Sequence, residues 1–89
     1  MMQEYWVYIV EASDGTYYTG ITTDIRRRMF EHNNTARGPK YTRSRRPVGL
    51  CYHRLYSGKS AALKEEARIK NLTRKQKIYL IESNEGMGR

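Results

Sequence analysis

The stretch Tyr5-Trp6-Val7-Tyr8-Ile9-Val10-Glu11-Ala12-Ser13-Asp14-Gly15-Thr16-Tyr17-Tyr18-Thr19-Gly20-Ile21-Thr22 decides how this 89-residue chain folds. Tyr5 to Ala12 is aromatic, β-branched or otherwise apolar at nearly every position, the composition of a strand covered on both faces, so it is expected at the centre of a sheet. Ser13-Asp14-Gly15 is turn chemistry, and Thr16 to Thr22 returns to β-branched and aromatic residues, so the two segments read as a hairpin. Loop length sets the register, and two registers stay open. A two-residue Asp14-Gly15 loop pairs Ala12 with Tyr17 and sends Tyr8 and Tyr18 to opposite faces. A three-residue Ser13-Asp14-Gly15 loop, with Gly15 at positive φ, pairs Val10 with Tyr18 and Tyr8 with Gly20. Both tyrosines then share a face, and Gly20 is expected to leave open space beside the Tyr8 ring. On the hairpin alone, two core tyrosines remain the simpler reading.

Outward from the hairpin, Thr23 or Asp24 can cap a short amphipathic helix in which Ile25, Met29 and Phe30 recur at helical spacing up to Asn33. Asn34 to Pro47 is polar and basic with two prolines, a loop with one helical turn around Tyr41 to Ser44. Val48 to Tyr56 has strand composition, and Ser57-Gly58-Lys59-Ser60 breaks it before a helix from Ala61. Thr73 with Gln76 forms a capping box for a last helix ending near Glu82. The reading is a single domain over residues 1–82 with three strands, followed by a frayed tail over 83–89.

Hydrophobic residues make up 38% of the chain, which suits one small domain and leaves no room for a second. Cys51 is the only cysteine, which excludes an intrachain disulfide and a zinc site of paired cysteines and points to a reducing compartment. The longest apolar run, Tyr5 to Val10, is far short of the roughly 20 residues of a membrane span. Gln3 and Glu4 stand where a secretory signal would be basic and then apolar, so a cytoplasmic location is expected.

Seventeen Lys and Arg against nine Asp and Glu give a net charge of +8. The excess is concentrated. Between Arg26 and Arg46 eight positive residues face Glu31 alone, a local net charge of +7 in 21 residues. A polyanion is the natural partner of such a segment. Nucleic acid is expected to meet Arg27, Arg37, Lys40, Tyr41, Arg43, Arg45 and Arg46.

Ile25, Arg28, Met29 and His32 occupy one stripe of the first helix, so two polar residues share the side expected to face the core. Arg27 is expected to pair with Glu31 on the solvent side, which leaves Arg28 in need of an anionic partner. In the helix after Gly58, Glu66 shares a stripe with Ala62 and Ile69, while Glu65 points toward Arg68 and solvent. An ordinary ion pair between Glu66 and Lys70 is the local alternative. Two tyrosines, an arginine, a histidine and a carboxylate on one sheet face fit phosphodiester hydrolysis with one metal. The carboxylate is a hard oxygen ligand for Mg²⁺, the arginine neutralises phosphoryl charge, and a hydroxyl or imidazole accepts the proton of the attacking water.

In this arrangement the chain resembles the GIY-YIG nuclease domain, in particular its short stand-alone bacterial members. The resemblance rests on Trp6-Val7-Tyr8 and Tyr18-Thr19-Gly20, on Arg28 ten and His32 fourteen residues after Tyr18, on Glu66, and on the segments Lys40 to Val48 and Ala62 to Glu66. Trp6 stands in place of the first motif's glycine, Thr19 in place of the second's isoleucine, and Ile21 where excision-repair relatives carry lysine. Asn71 is the candidate for the family's late asparagine. The resemblance implies an α+β fold, a three-stranded antiparallel sheet flanked by helices. It implies a metal-dependent endonuclease with Tyr8, Tyr18, Arg28, His32 and Glu66 as catalytic residues and Glu66 holding one Mg²⁺ or Mn²⁺ ion. DNA is the favoured substrate and DNA repair the setting. The protein is expected to be a monomer away from membranes, with targeting supplied by a protein partner. A basic nucleic-acid-binding module without chemistry and a protein that docks an acidic partner are the competing readings.

Overall fold

The computed structural model describes residues 2–83. Its elements in chain order are β1 (Glu4–Glu11), β2 (Tyr17–Thr22), α1 (Ile25–Asn34), α2 (Lys40–Arg43), β3 (Gly49–Ser57), α3 (Lys59–Lys70) and α4 (Arg74–Ser83). The sheet is antiparallel with order β2-β1-β3, so the apolar first strand is central. Ser83 belongs to α4, one residue past the expected end of the domain, and the rest of the expected tail lies outside the described residues.

The hairpin adopts the three-residue register. Val10 pairs with Tyr18 and Tyr8 with Gly20. Ala12 N–H donates to Thr16 O at 2.8 Å, and Gly15 takes φ 83°, a conformation that costs glycine little. Asp14 tightens the turn by accepting from the Thr16 amide at 3.1 Å and the Thr16 hydroxyl at 2.6 Å.

Because β1 is central, its two faces seed two separate cores. Val7 and Ile9 pack with Tyr52, with Ala62 and Ile69 of α3, and with Leu80 and Ile81 of α4. Tyr8, Val10 and Ala12 pack on the other face with Val48, Tyr18, Ile25 and Met29, so α1 closes that side. The β1–β3 register slips between Ile9 and Val10, which pair with Tyr52 and Leu50, so Cys51 is the extra residue of a bulge.

Helix ends follow local chemistry. Asp24, rather than Thr23, caps α1 by accepting from Arg27 N–H at 3.0 Å. Thr73 and Gln76 form the expected reciprocal box, with Thr73 N–H donating to Gln76 Oε1 at 2.9 Å and Gln76 N–H to Thr73 Oγ1 at 3.2 Å. Several boundaries shift from expectation, most by a single residue. α3 begins at Lys59, two residues before Ala61, directly after Gly58. Val48 precedes β3 because the Asn33 side chain takes both its backbone groups, accepting from Val48 N–H at 2.8 Å and donating to Val48 O at 3.0 Å.

The C-terminal end of the basic segment is tied down twice. Ser13 N–H donates to Arg45 O at 2.9 Å, and Arg45 Nε reaches Asp14 Oδ2 at 3.1 Å. Arg46 turns back onto the C-terminus of α1 and donates to the carbonyls of His32, Glu31 and Thr35, adding to the Thr35 amide already on Glu31 O and the Gly38 amide already on Thr35 O. Among the described residues no helix is long and apolar enough to cross a membrane.

Candidate active site

The three-residue register, with α1 laid across β1 and β2, brings Tyr8, Tyr18 and His32 together. His32 is 0% exposed. Its imidazole meets both tyrosine rings edge-on, with centroids 5.6 Å from Tyr8 and 5.5 Å from Tyr18. The Tyr8 hydroxyl lies 2.8 Å from His32 Nε2. Arg28 Nε, which can only donate, points at the same hydroxyl across a long 3.4 Å. The Tyr8 oxygen therefore accepts from Arg28 and gives its own proton to His32.

Burial sets the protonation of this pair. Desolvation pushes Tyr8 up to about 12, the Arg28 hydrogen bond and charge pull against it, and the charges of Tyr18 and Glu66 add to it. Burial, and then the charge of Arg28, bring His32 down to about 4, with Glu31 opposing and Arg46 adding. Near neutral pH the resting pair is a neutral phenol donating to a neutral imidazole.

Arg28 is not left without an anion. Its Nη1 lies 2.9 Å from Glu31 Oε1 and 3.2 Å from Arg37 O, so Glu31, expected to serve Arg27, serves Arg28 at closer range than Arg27, which stands at 3.7 Å. Burial works against the charged form of Arg28, but the hydrogen bonds to Tyr8 and Glu31 outweigh it and its pKa is raised. Gly20 faces Tyr8 as the register requires, yet the expected open space is absent, because the Tyr8 ring itself folds over the glycine.

Glu66 projects from α3, and its charge bears on the Tyr8 phenol. Its carboxylate also makes the ion pair weighed against it, with Lys70 Nζ at 3.3 Å. Lys70 in turn lines a cavity of about 240 Å³ with Tyr17, Tyr18, Thr19, Tyr41 and Lys77. Glu65 meets Arg68 as expected, but it does not face open solvent. Its side chain is 15% exposed against 17% for Glu66. Hydrogen bonds from Arg68, at 2.8 and 2.6 Å, and from Tyr56 hold it below the ordinary carboxylate range against its burial.

The basic residues divide by what they already hold. Tyr41 stacks on Tyr18 with centroids 6.2 Å apart, and the Arg45 guanidinium lies 3.9 Å over the Tyr41 ring. Arg27, Arg37, Lys40 and Arg43 are exposed. Arg46, by contrast, commits its guanidinium to the end of α1. Asn71 caps α3, its side-chain amide donating to Ala67 O at 3.0 Å.

Thr42 is the residue that sequence reasoning passed over. It is fully buried, and its Oγ1 lies 2.9 Å from His32 Nδ1. The available signal was a small hydroxyl residue inside a run of exposed cations, three residues after a proline.

No cluster of three or more His, Cys, Asp or Glu side chains is present among the described residues. One carboxylate is a poor zinc site, and a hard divalent cation that keeps most of its water is the ion it suits, in competition with Lys70 at 3.3 Å. Glu66 is the side chain that would hold such an ion.

Residues 4–79 match the GIY-YIG catalytic domain family. A UPF0213 protein of Desulfotalea psychrophila is 51% identical over 81 residues, covering 91% of this chain and 74% of that protein. One from Staphylococcus epidermidis is 48% identical over 81 residues, covering 91% and 98%, and one from Halobacterium salinarum is 55% identical over 74 residues, covering 83% and 95%. The solution NMR structure of a UPF0213 protein from Bacillus halodurans superposes with a TM-score of 0.61 at 38% identity, covering 93% of this chain and 87% of that one. With both tyrosines on one imidazole, the expected sheet and this span of similarity, the chain belongs to the GIY-YIG nuclease family as a short member of its UPF0213 group.

Proposed function

We propose that the protein is an endonuclease that hydrolyses phosphodiester bonds in DNA with one divalent cation. The observation that carries this reading is the Tyr8 hydroxyl, held between His32 Nε2 at 2.8 Å and the Arg28 guanidinium and within reach of the Glu66 charge. A phenol pushed up to about 12 is a poor free base. Held against a neutral imidazole, it can take a proton from water as its own passes to His32, so no free phenolate is needed. Tyr18, half-buried on the cavity wall, orients that water, and Arg28 meets the phosphoryl charge as it grows. A divalent cation at Glu66 supplies Lewis-acid neutralisation of the phosphate oxygens.

The duplex or strand outside the site is held by Arg27, Arg37, Lys40 and Arg43, with Tyr41 and Arg45 at the mouth. The test is cleavage of branched, nicked, single-stranded and duplex DNA, with and without Mg²⁺. Mg²⁺-dependent cleavage of at least one substrate, lost in Glu66→Gln, supports the reading. The ion pair of Glu66 with Lys70 favours a second reading, a basic binding module whose carboxylate only steadies α3. Salt-sensitive binding of all four substrates with cleavage of none would select it.

A further inference from the structure

We propose that Thr42 is a positioning residue that fixes His32 in the tautomer carrying its proton on Nδ1, and so couples the basic segment to the Tyr8–His32 pair. Some of the groups in this chain of contacts can only donate and others can only accept. Thr42 Oγ1 lies 3.1 Å from Pro39 O and 2.9 Å from His32 Nδ1. Pro39 O also accepts from the Thr42 and Arg43 amides at 3.1 Å, and a carbonyl only accepts, so the Thr42–Pro39 contact is a bond when the single Thr42 proton lies there and the Thr42 oxygen receives the Nδ1 proton. His32 Nε2 is then a bare acceptor facing Tyr8. At the far end Arg28 Nε only donates. With a donor-only group at one end and an acceptor-only group at the other, the protons of Arg28, Tyr8, His32 and Thr42 have one arrangement that makes every bond.

The arrangement also limits where a proton can go. When Tyr8 passes its proton to His32, an imidazolium forms with Nδ1–H still bonded to Thr42. Thr42 cannot relay that proton onward, because Pro39 O does not take one. The proton therefore returns through Tyr8, and His32 is a holding place closed at its back. Thr42 sits on α2 with Lys40, Tyr41 and Arg43, all exposed. One helical turn thus carries the nucleic-acid contacts outside and the tautomer lock inside.

A catalytic consequence rests on the proposed nuclease reading, but the tautomer does not, and the experiment separates them. Long-range proton–nitrogen NMR of ¹⁵N-labelled protein near neutral pH reports which ring nitrogen of His32 carries the proton. His53→Gln identifies the signals, since the chain has two histidines. The expected spectrum shows a protonated Nδ1 and an unprotonated Nε2. In Thr42→Val the Nε2–H form should become substantially populated, and single-turnover cleavage should fall by about 10- to 100-fold. Thr42→Ser, which keeps the hydroxyl, should restore both. A wild-type spectrum with the proton on Nε2 overturns the proposal, and so does a folded Thr42→Val that keeps the wild-type tautomer. If Thr42→Val does not fold, the wild-type and Thr42→Ser spectra still decide, since Nε2–H in either contradicts the lock. A protein that cleaves nothing yet shows the expected spectra loses the nuclease reading and keeps the tautomer lock.

Discussion

The Tyr8 hydroxyl occupies the place where a side chain at Gly20 would begin: a Cβ built there would lie 2.7 Å from the oxygen and 2.9 Å from the ring carbon that bears it. The glycine of the second motif thus makes room for the tyrosine of the first. Gly20→Ala should lower stability by about 1 to 3 kcal/mol and loosen Tyr8 from His32, because a ring packed on both sides cannot move aside freely. Tyr8→Phe in the same background should recover part of the loss, making the double variant less than additive in urea denaturation. Full additivity would show that the two residues do not press on each other.

His32 gives the fold a specific pH dependence. Its folded value of about 4 lies below the ordinary 6.5, so between those limits the unfolded chain binds more protons and stability rises with pH. The contribution is complete above about pH 6.5, falls as the pH drops through the window and is gone below about 4. A shift of that size corresponds to about 3 kcal/mol. His32→Gln should flatten the stability profile between pH 4 and 6.5, measured by denaturant midpoints at each pH. An unchanged profile would assign the dependence to the carboxylates instead.

The two neighbouring glutamates should fail in different ways. Glu66→Gln should leave folding near wild type and remove Mg²⁺-dependent cleavage. Glu65→Gln breaks bonds from Arg68 and Tyr56, so it should cost about 0.5 to 1 kcal/mol of stability while a folded sample retains cleavage. Equal loss of cleavage in both variants would undo the assignment of the metal to Glu66.

Salt titrations can sort the cations. Replacing Arg37, Lys40 and Arg43 together by alanine should flatten the log–log dependence of duplex binding on salt by up to about 2.7, about 0.9 for each phosphate no longer neutralised. A slope that does not move would place the nucleic acid on another face.

Arg46→Ala should act on the fold rather than on the slope. It removes three hydrogen bonds at the end of α1 and leaves His32 O without its donor, while Glu31 O and Thr35 O keep backbone amides, which should cost about 1 to 3 kcal/mol. Thermal or urea unfolding measures that cost. A variant as stable as wild type but weaker in binding would return Arg46 to the nucleic-acid surface.

Much of this was legible in the hairpin. Loop length, the Gly15 turn and strand alternation restrict Tyr8 and Tyr18 to two registers, and the structure adopts the one that places them on a common face. The stripe of α1 likewise carries Arg28 and His32 inward. What could not be read depends on where long side chains end rather than where they start. Arg46 lies in a run of cations but reaches back 11 to 15 residues to α1. Thr42 stands out locally as a hydroxyl among cations, but nothing near it in the chain marks His32, ten residues earlier, as its partner. Glu65 is on the side of α3 opposite the expected site, yet β3 brings Tyr56 over it. Helical periodicity marks a direction, and only the packed neighbour decides whether that direction is solvent.

The pin between the hairpin turn and the basic segment, Ser13 N–H to Arg45 O with Arg45 on Asp14, bears on the thermodynamics of association. Cationic arms that meet nucleic acid are often unstructured beforehand and lose conformational freedom on contact. Here the turn, α2 and Arg46 have already spent that freedom during folding. Binding should therefore proceed as a docking of rigid surfaces, with a heat-capacity change no larger than the contact area itself requires.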